Sequence, residues 1–412
     1  MPDRYTVISV DTHAGGSHAA YREYLDPQYR ERFDEWRGAH TNPWHDLKEE
    51  NPRKLRNWDN ELRDSEQEAD GVVGEVLFPN TIPPFFPSFV FFAGPPTAED
   101  YELRRAGIRA HNRWLADFCA ERPGRRAGIG QMFMNDVDDA IEDVRWIAEN
   151  GLRGGVLLPP FPPDAHWVKP LNHPDYDRLW EVCQDLQVPV HNHGGTGGPR
   201  YAKLPSSGVI QLAEGPTYAR RPLLFLLLSG VFERFPGLRF VMTEQGCSWV
   251  PDVLAQLDSL VTRMRANGRI GELSFGPDQV LPRTATEYFR QNVWLGVSFP
   301  DAADTAAMHG IGLDRVMWGS DYPHNEGTYP FTREHLRLAF AGWSEADLRK
   351  VLGENPARLF GFDLAELDAL AARVGPRVDE VAVPLSPADL PAGADDALAK
   401  VADSVAHAAA RG

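Results

Sequence analysis

Val188-Pro189-Val190-His191-Asn192-His193-Gly194-Gly195 is a short apolar run that ends in two imidazoles and two glycines. Nothing in it alternates between apolar and polar before the histidines. That is how a strand buried on both faces reads, as in a parallel sheet covered by helices. Seven further segments share this character: Thr6–Val10, Val72–Phe78, Ala127–Met132, Gly155–Leu158, Arg239–Thr243, Val293–Ser298 and Arg315–Trp318.

Helical spacing of apolar residues fills the gaps. It predicts helices over Ala98–Glu121, Val137–Asn150, Asp175–Leu186, Pro222–Phe235 and Val250–Ala266, with Asp136 as an N-cap. Alternating strands and helices imply parallel βαβ units. Eight of them point to a closed (β/α)8 TIM barrel, an α/β fold, with an open doubly wound sheet as the alternative. The expected catalytic domain is 1–371, with a helical insertion or lid at 14–71 after strand 1. Residues 372–412 form a C-terminal extension, in which Ala394–Arg411 is expected to be an amphipathic helix covering a neighbouring subunit of a homo-oligomer.

Composition narrows the function. Of 412 residues, 42% are hydrophobic and 25% charged, so a sizeable core is available. The net charge of −17 comes without a concentrated basic stretch, which argues against nucleic-acid binding. The longest apolar runs, Pro222–Phe232 and Ser88–Gly94, are too short to cross a bilayer. Cys119, Cys183 and Cys247 have neither zinc-knuckle nor disulfide spacing. With an amino terminus unlike a signal peptide, they suggest a reduced, cytoplasmic protein.

Barrel enzymes place their chemistry where strands end at the C-terminal face. Strand 1 ends in Asp11-Thr12-His13, and alternation turns its acid and imidazole the same way. The same rule turns His191 and His193 to one face. Strand 6 ends at Glu244, and strand 8 at Asp321-Tyr322-Pro323-His324. A carboxylate at the end of a buried strand is costly unless paired or metal-bound. Each pair alone has a plainer reading: a helix cap for Asp11, a core histidine, or a salt bridge from Glu244 to Arg220 or Arg221. Glu75 on strand 2 is a further buried carboxylate, which reads as structural. Together, the ends of strands 1, 5, 6 and 8 suggest a metal site of Asp11, His13, His191, His193, Glu244 and Asp321, with Asp321 and His324 as catalytic groups. The Pro79–Phe92 segment, with Phe85 and Phe86, offers an apolar pocket wall, and Arg200, Lys203, Arg220 and Arg221 offer anion contacts.

VISVDTHAGG, GVVGEVLFPN, GLRGGVLLPP, VPVHNHGG, RFPGLRFVMTEQG, MWGSDYPHNEGTYP and ENPARLFGF, spread over about residues 5–363, resemble the amidohydrolase superfamily. They are most similar to the branch that includes decarboxylases of aromatic and unsaturated acids. The resemblance implies a distorted (β/α)8 barrel with metal held by Asp11, His13, His191 and Asp321. Asp11 departs from the H-x-H pattern of many members, and Glu244 stands where strand 6 often carries histidine.

Three carboxylates with several imidazoles suit iron, manganese or zinc, and exceed what one tetrahedral zinc needs. Two readings follow. The first expects two iron ions, as in the resembling TIM-barrel nonheme diiron monooxygenases. It implies an electron donor and a large apolar acyl or terpenoid substrate, with coenzyme A linkage among the options. The alternative is a metal-dependent hydrolase or nonoxidative decarboxylase using zinc or manganese, with Asp321 moving the proton. The sequence reading weighs Glu244 and the doubled histidine of strand 5 toward the monooxygenase.

Overall fold

The computed structural model describes residues 3–40, 51–394, 398, 399 and 401–405. Eight strands form one parallel sheet in chain order: β1 (Val7–Ala14), β2 (Val72–Pro79), β3 (Arg126–Gln131), β4 (Gly155–Leu157), β5 (Val190–His193), β6 (Phe240–Thr243), β7 (Val293–Ser298) and β8 (Val316–Gly319). The eighth returns to the first. Just past β8, Asp321 N donates to Asp11 O at 2.8 Å and His13 N donates to Tyr322 O at 2.7 Å. These bonds close a (β/α)8 barrel and remove the open-sheet alternative.

Every residue of the eight strands is buried, which accounts for their mostly apolar character. Ile8, Val10, Val76, Phe78, Ile129, Leu157, Val241 and Met317 fill the inside. Val7, Leu77, Val156, Val190, Phe240, Leu295 and Val316 pack outward in the layer shared with the helices. The 14–71 insertion carries α1 (His18–Tyr24), α2 (Arg30–Ala39) and α3 (Asn60–Asp70). Asp59 caps α3 by accepting from Leu62 N, and Gly71 ends it at φ 88°. Next come α4 (Tyr101–Ala120), α5 (Val137–Glu149), capped by Asp136 as expected, and α6 (Asp177–Asp185).

The expected helix Pro222–Phe235 is placed differently. Helix α7 runs from Ser207 to Leu228 with Pro216 and Pro222 inside it, and Gly230 at φ 74° separates it from a single turn, Val231–Arg234. The sequence reading starts this helix at Pro222, yet a proline inside a long helix removes only one backbone donor. Residues 207–217 of α7 are largely exposed and stand at the barrel mouth.

In the C-terminal extension, Ala394, Leu398 and Val401 are buried in this chain's own core, and Ser404 Oγ accepts from Ala302 N at 3.0 Å. The described part of the expected tail helix therefore packs on its own barrel; residues 406–412 lie outside the described residues. Among the described residues, no helix is long and apolar enough to cross a membrane.

Candidate metal centre at the barrel mouth

Strand β1 presents more to the interior than simple alternation allows. Its register against β2 shifts between Ser9 and Thr12. Val10 faces the inner core, yet Asp11 and His13 also reach inward. Such irregularities re-aim side chains beside functional sites. Glycine makes room: a Cβ on Gly319 of β8 would lie 2.6 Å from Asp11 Cβ.

The ends of β6, β7 and β8 are bent in a second way. Glu244, Phe299 and Asp321 have φ of 57°, 34° and 61°. Non-glycine residues seldom hold this left-handed conformation, and it clusters where geometry is functionally constrained. Here it turns Glu244 and Asp321 back over the mouth.

The side chains converge. His13 Nε2 lies 3.3 Å from Asp11 Oδ1 and 3.1 Å from Asp321 Oδ1. His193 bridges two acids, with Nε2 3.4 Å from Asp11 Oδ1 and Nδ1 3.2 Å from Glu244 Oε2. His324 Nδ1 donates to Asp321 Oδ1 at 2.8 Å, and its Nε2 sits 3.0 Å from Asn80 Oδ1. Asp11, His13 and His193 bring ligand atoms within 4.8 Å of one another; so do His13, Asp321 and His324, and Glu244, Asp321 and Glu326.

His191 is not in these groups. It shares the inward face of β5, but two residues of strand are a rise of about 6.6 Å. The ring therefore sits one layer deeper, with Nε2 donating to Gly154 O at 2.7 Å and Phe360 stacked on it at 5.7 Å. Burial holds its pKa down to about 3, so it is neutral.

Charge makes the cluster suited to a cation. Asp11, His13 and Asp321 are fully buried. Burial opposes ionisation of Asp11, but His193 and His13 outweigh it and hold the carboxyl below its usual range. Glu244 goes the other way, pushed up to about 8 by burial and by the charges of Asp321 and Asp11. Among the described residues, Asp321 Oδ2 is buried without a hydrogen-bond partner. An orphaned lone pair in a dry site is costly, and a divalent ion would satisfy it. The oxygen and imidazole donors fit the hard-to-borderline ions manganese, iron and zinc.

A second layer fixes these groups. Ser298 Oγ donates to Asp11 Oδ2. Arg63 Nη1 donates to His13 O at 2.8 Å, while its Nη2 pairs with Glu75 Oε2 at 2.7 Å. Glu75 also meets Arg126 at 3.1 Å; against burial, the two guanidinium groups hold it at about 2, which is the structural role read from sequence. Ser298, Asn80 and Arg63 were not singled out in the sequence. The signal applied to the other strand ends, a polar residue closing an apolar run, also marks Ser298.

Of this cluster, Glu244 faces a cavity of about 1420 Å3 lined also by Phe91, Phe92, Arg200, Arg220 and Ser298, among others. A smaller one, about 520 Å3, shares Phe91 and Glu244 and reaches Asn80, His193 and His324. Arg200 and Arg220 thus stand at the mouth. Phe85 and Phe86 line neither cavity: Phe85 packs on Phe33 and Trp36, and Phe86 lies between Phe133 and the Arg104 guanidinium. Phe89, Phe91 and Phe92, a few residues on, supply the aromatic wall. Phe91 stacks on His193 at 4.2 Å.

A parallel eight-stranded barrel with carboxylates and imidazoles gathered at its C-terminal mouth defines a barrel protein with a candidate metal site. The amidohydrolase family profile matches residues 39–362, and the chain belongs to that family. It is 28% identical over 270 residues to the γ-resorcylate decarboxylase of Rhodococcus jostii, covering 62% of this chain and 76% of that protein. Decarboxylase orsB of Emericella nidulans is 27% identical over 292 residues, covering 64% of this chain and 80% of that one. The same fold is seen in the dihydroxybenzoic acid decarboxylase of Polaromonas sp. JS666 with bound manganese, at TM-score 0.60 and 20% identity over 88% of this chain and 99% of that one.

These relatives correct the main expectation from sequence. They are decarboxylases, which overturns the nonheme diiron monooxygenase and the oxidoreductase class with it. The ligand set could not make that distinction, because carboxylates and imidazoles serve redox iron and non-redox manganese alike. The two-iron expectation likewise finds no support: the metal named with bound relatives is manganese. The electron donor was expected only with the monooxygenase and falls with it.

Proposed function

We propose that this protein is a divalent-metal-dependent, nonoxidative decarboxylase of aromatic acids. The observation that carries the reading is the buried, unpartnered Oδ2 of Asp321 beside His13 and His324, in a chain similar to γ-resorcylate decarboxylases. Asp11, His13, His193 and Asp321 would hold one ion, with Glu244 as a further donor facing the cavity. Manganese is the ion we assign. When bound, it supplies a fixed positive charge that orients and polarises a hydroxy-acid.

The chain does the rest. Arg220 and Arg200 line the approach and attract the carboxylate. Phe91 and Phe78 shield the imidazole of His193 from water. The Asp321–His324 pair delivers a proton to the ring carbon that bears the carboxylate. The carbon–carbon bond then breaks, its electron pair returns to the ring, and carbon dioxide leaves. Proton and electron counts balance without an oxidant.

The test is carbon dioxide release from hydroxybenzoic acids under anaerobic conditions by manganese-loaded protein. We expect release that stops on chelation and returns with manganese. No release from a panel of dihydroxybenzoates, or turnover that survives exhaustive chelation, sinks the reading.

A further inference from the structure

The cavity beyond the ligand cluster is larger than a single ring requires. Pockets for drug-sized molecules run about 300–1,000 Å3, and this one is about 1420 Å3. Its two ends differ in character. Glu244, Ser298 and Arg220 lie at the inner end, against the metal-ligand groups. Toward the outside, beside the polar Asp164, Arg200 and Lys203, two facing stretches of wall are apolar. One is Phe92, Pro95, Pro162 and Trp167; the other is the face of α7 bearing Val209, Leu212 and Pro216. Those three positions are i, i+3 and i+7, a single helical stripe.

The stripe is uncovered. Val209 is 72% exposed and Leu212 80%, and across the cleft Phe92 is 48% and Trp167 46% exposed. Eleven large apolar side chains are exposed among the described residues, and these four share one concave lining. Scattered exposed apolar groups are ordinary, but a facing set in a concave site marks a ligand surface.

We propose that the substrate is an aromatic acid bearing a long alkyl substituent, whose chain lies between α7 and the Ser88–Pro95 segment while its carboxylate reaches the ligand cluster. This rests on the decarboxylase reading. Continuity fixes the occupant: Glu244 belongs both to the ligand groups and to the cavity wall, so one molecule can span both.

The experiment compares 2,4-dihydroxybenzoates with a methyl or a heptyl group at the 6-position, on the manganese-loaded full chain. Each buried methylene gives roughly three- to fourfold, so kcat/KM for the heptyl acid should exceed that for the methyl acid by well over tenfold. In the double variant Val209→Ser with Leu212→Ser, the heptyl-to-methyl ratio should fall at least tenfold; a general folding defect would lower both rates together. Calorimetric binding of 5-heptylresorcinol against 5-methylresorcinol reads the cleft without turnover. Tighter binding of the heptyl compound with no carbon dioxide from either acid leaves the cleft assignment standing and removes the decarboxylase reading. Release from the methyl acid with no gain from the longer chain overturns this proposal and leaves that reading intact.

Discussion

Asp321 Oδ1 accepts a 2.8 Å hydrogen bond from Nδ1 of His324 and lies 3.1 Å from Nε2 of His13, so one oxygen serves two imidazoles while Oδ2 stays free among the described residues. Asp321→Asn keeps the shape but cannot carry the proton. Its carbon dioxide release should fall by about a hundredfold or more, with manganese content reduced. His324→Gln should lower kcat while keeping the metal. Metal analysis beside the rate assay separates the two, and full activity in Asp321→Asn would refute the assignment.

Gly319 is the second point of test. A Cβ there meets Asp11 Cβ at 2.6 Å and Ser298 Oγ at 3.0 Å. Gly319→Ala must displace Asp11, at a cost of about 1–3 kcal/mol from overpacking. We expect manganese affinity to drop by roughly ten- to a hundredfold, with an unchanged far-ultraviolet circular dichroism spectrum. Wild-type affinity in a folded variant would mean that Asp11 is not a ligand.

The buried Arg63–Glu75–Arg126 group makes a stability prediction. Glu75→Leu leaves two guanidinium groups buried without their carboxylate, which should cost about 3–5 kcal/mol. Calorimetry should show Tm falling by several degrees. Adding Arg63→Met should recover part of that loss. If the single variant is as stable as the parent, the ion group is incidental to the fold.

His111 sets a pH dependence. Its ring is buried on α4, where Nδ1 lies 2.7 Å from Tyr21 Oη, and burial holds its pKa down to about 3. In the unfolded chain it takes up a proton near pH 6.5. Protonation therefore favours unfolding: the contribution of neutral His111 is whole above pH 6.5 and is lost as pH falls toward 3, by about 1.4 kcal/mol per pH unit. His111→Gln should flatten the denaturation free energy against pH between 6 and 4 by about one proton. An unchanged slope would show that His111 is already charged in the folded state.

Much of this architecture is legible in the sequence. All eight barrel strands fall within a residue or two of their expected places except at the far end of β1, because burial on both faces leaves a nearly continuous apolar record. One rule, polar residues ending such runs, singles out Asp11, His13, His193, Glu244 and Asp321, whose side chains converge in the structure. The rule could not rank depth, so His191 looked equal to His193 although it lies a layer lower. The slipped register at Ser9–Thr12 left no mark, since every residue there is buried either way. The start of α7 was hidden by its prolines. The reaction was illegible for a chemical reason: ligand type constrains the ion far more than it constrains what the ion is used for.

Glu244, Phe299 and Asp321 hold a backbone twist that suits glycine, at three neighbouring rims of the same barrel. Each carries a penalty on the order of 1 kcal/mol that a glycine would not. A library selected only for heat resistance should therefore drift toward glycine at these rims. The hardiest survivors would have lost two acids of the candidate metal site, so endurance and turnover should pull this chain in opposite directions at the same residues.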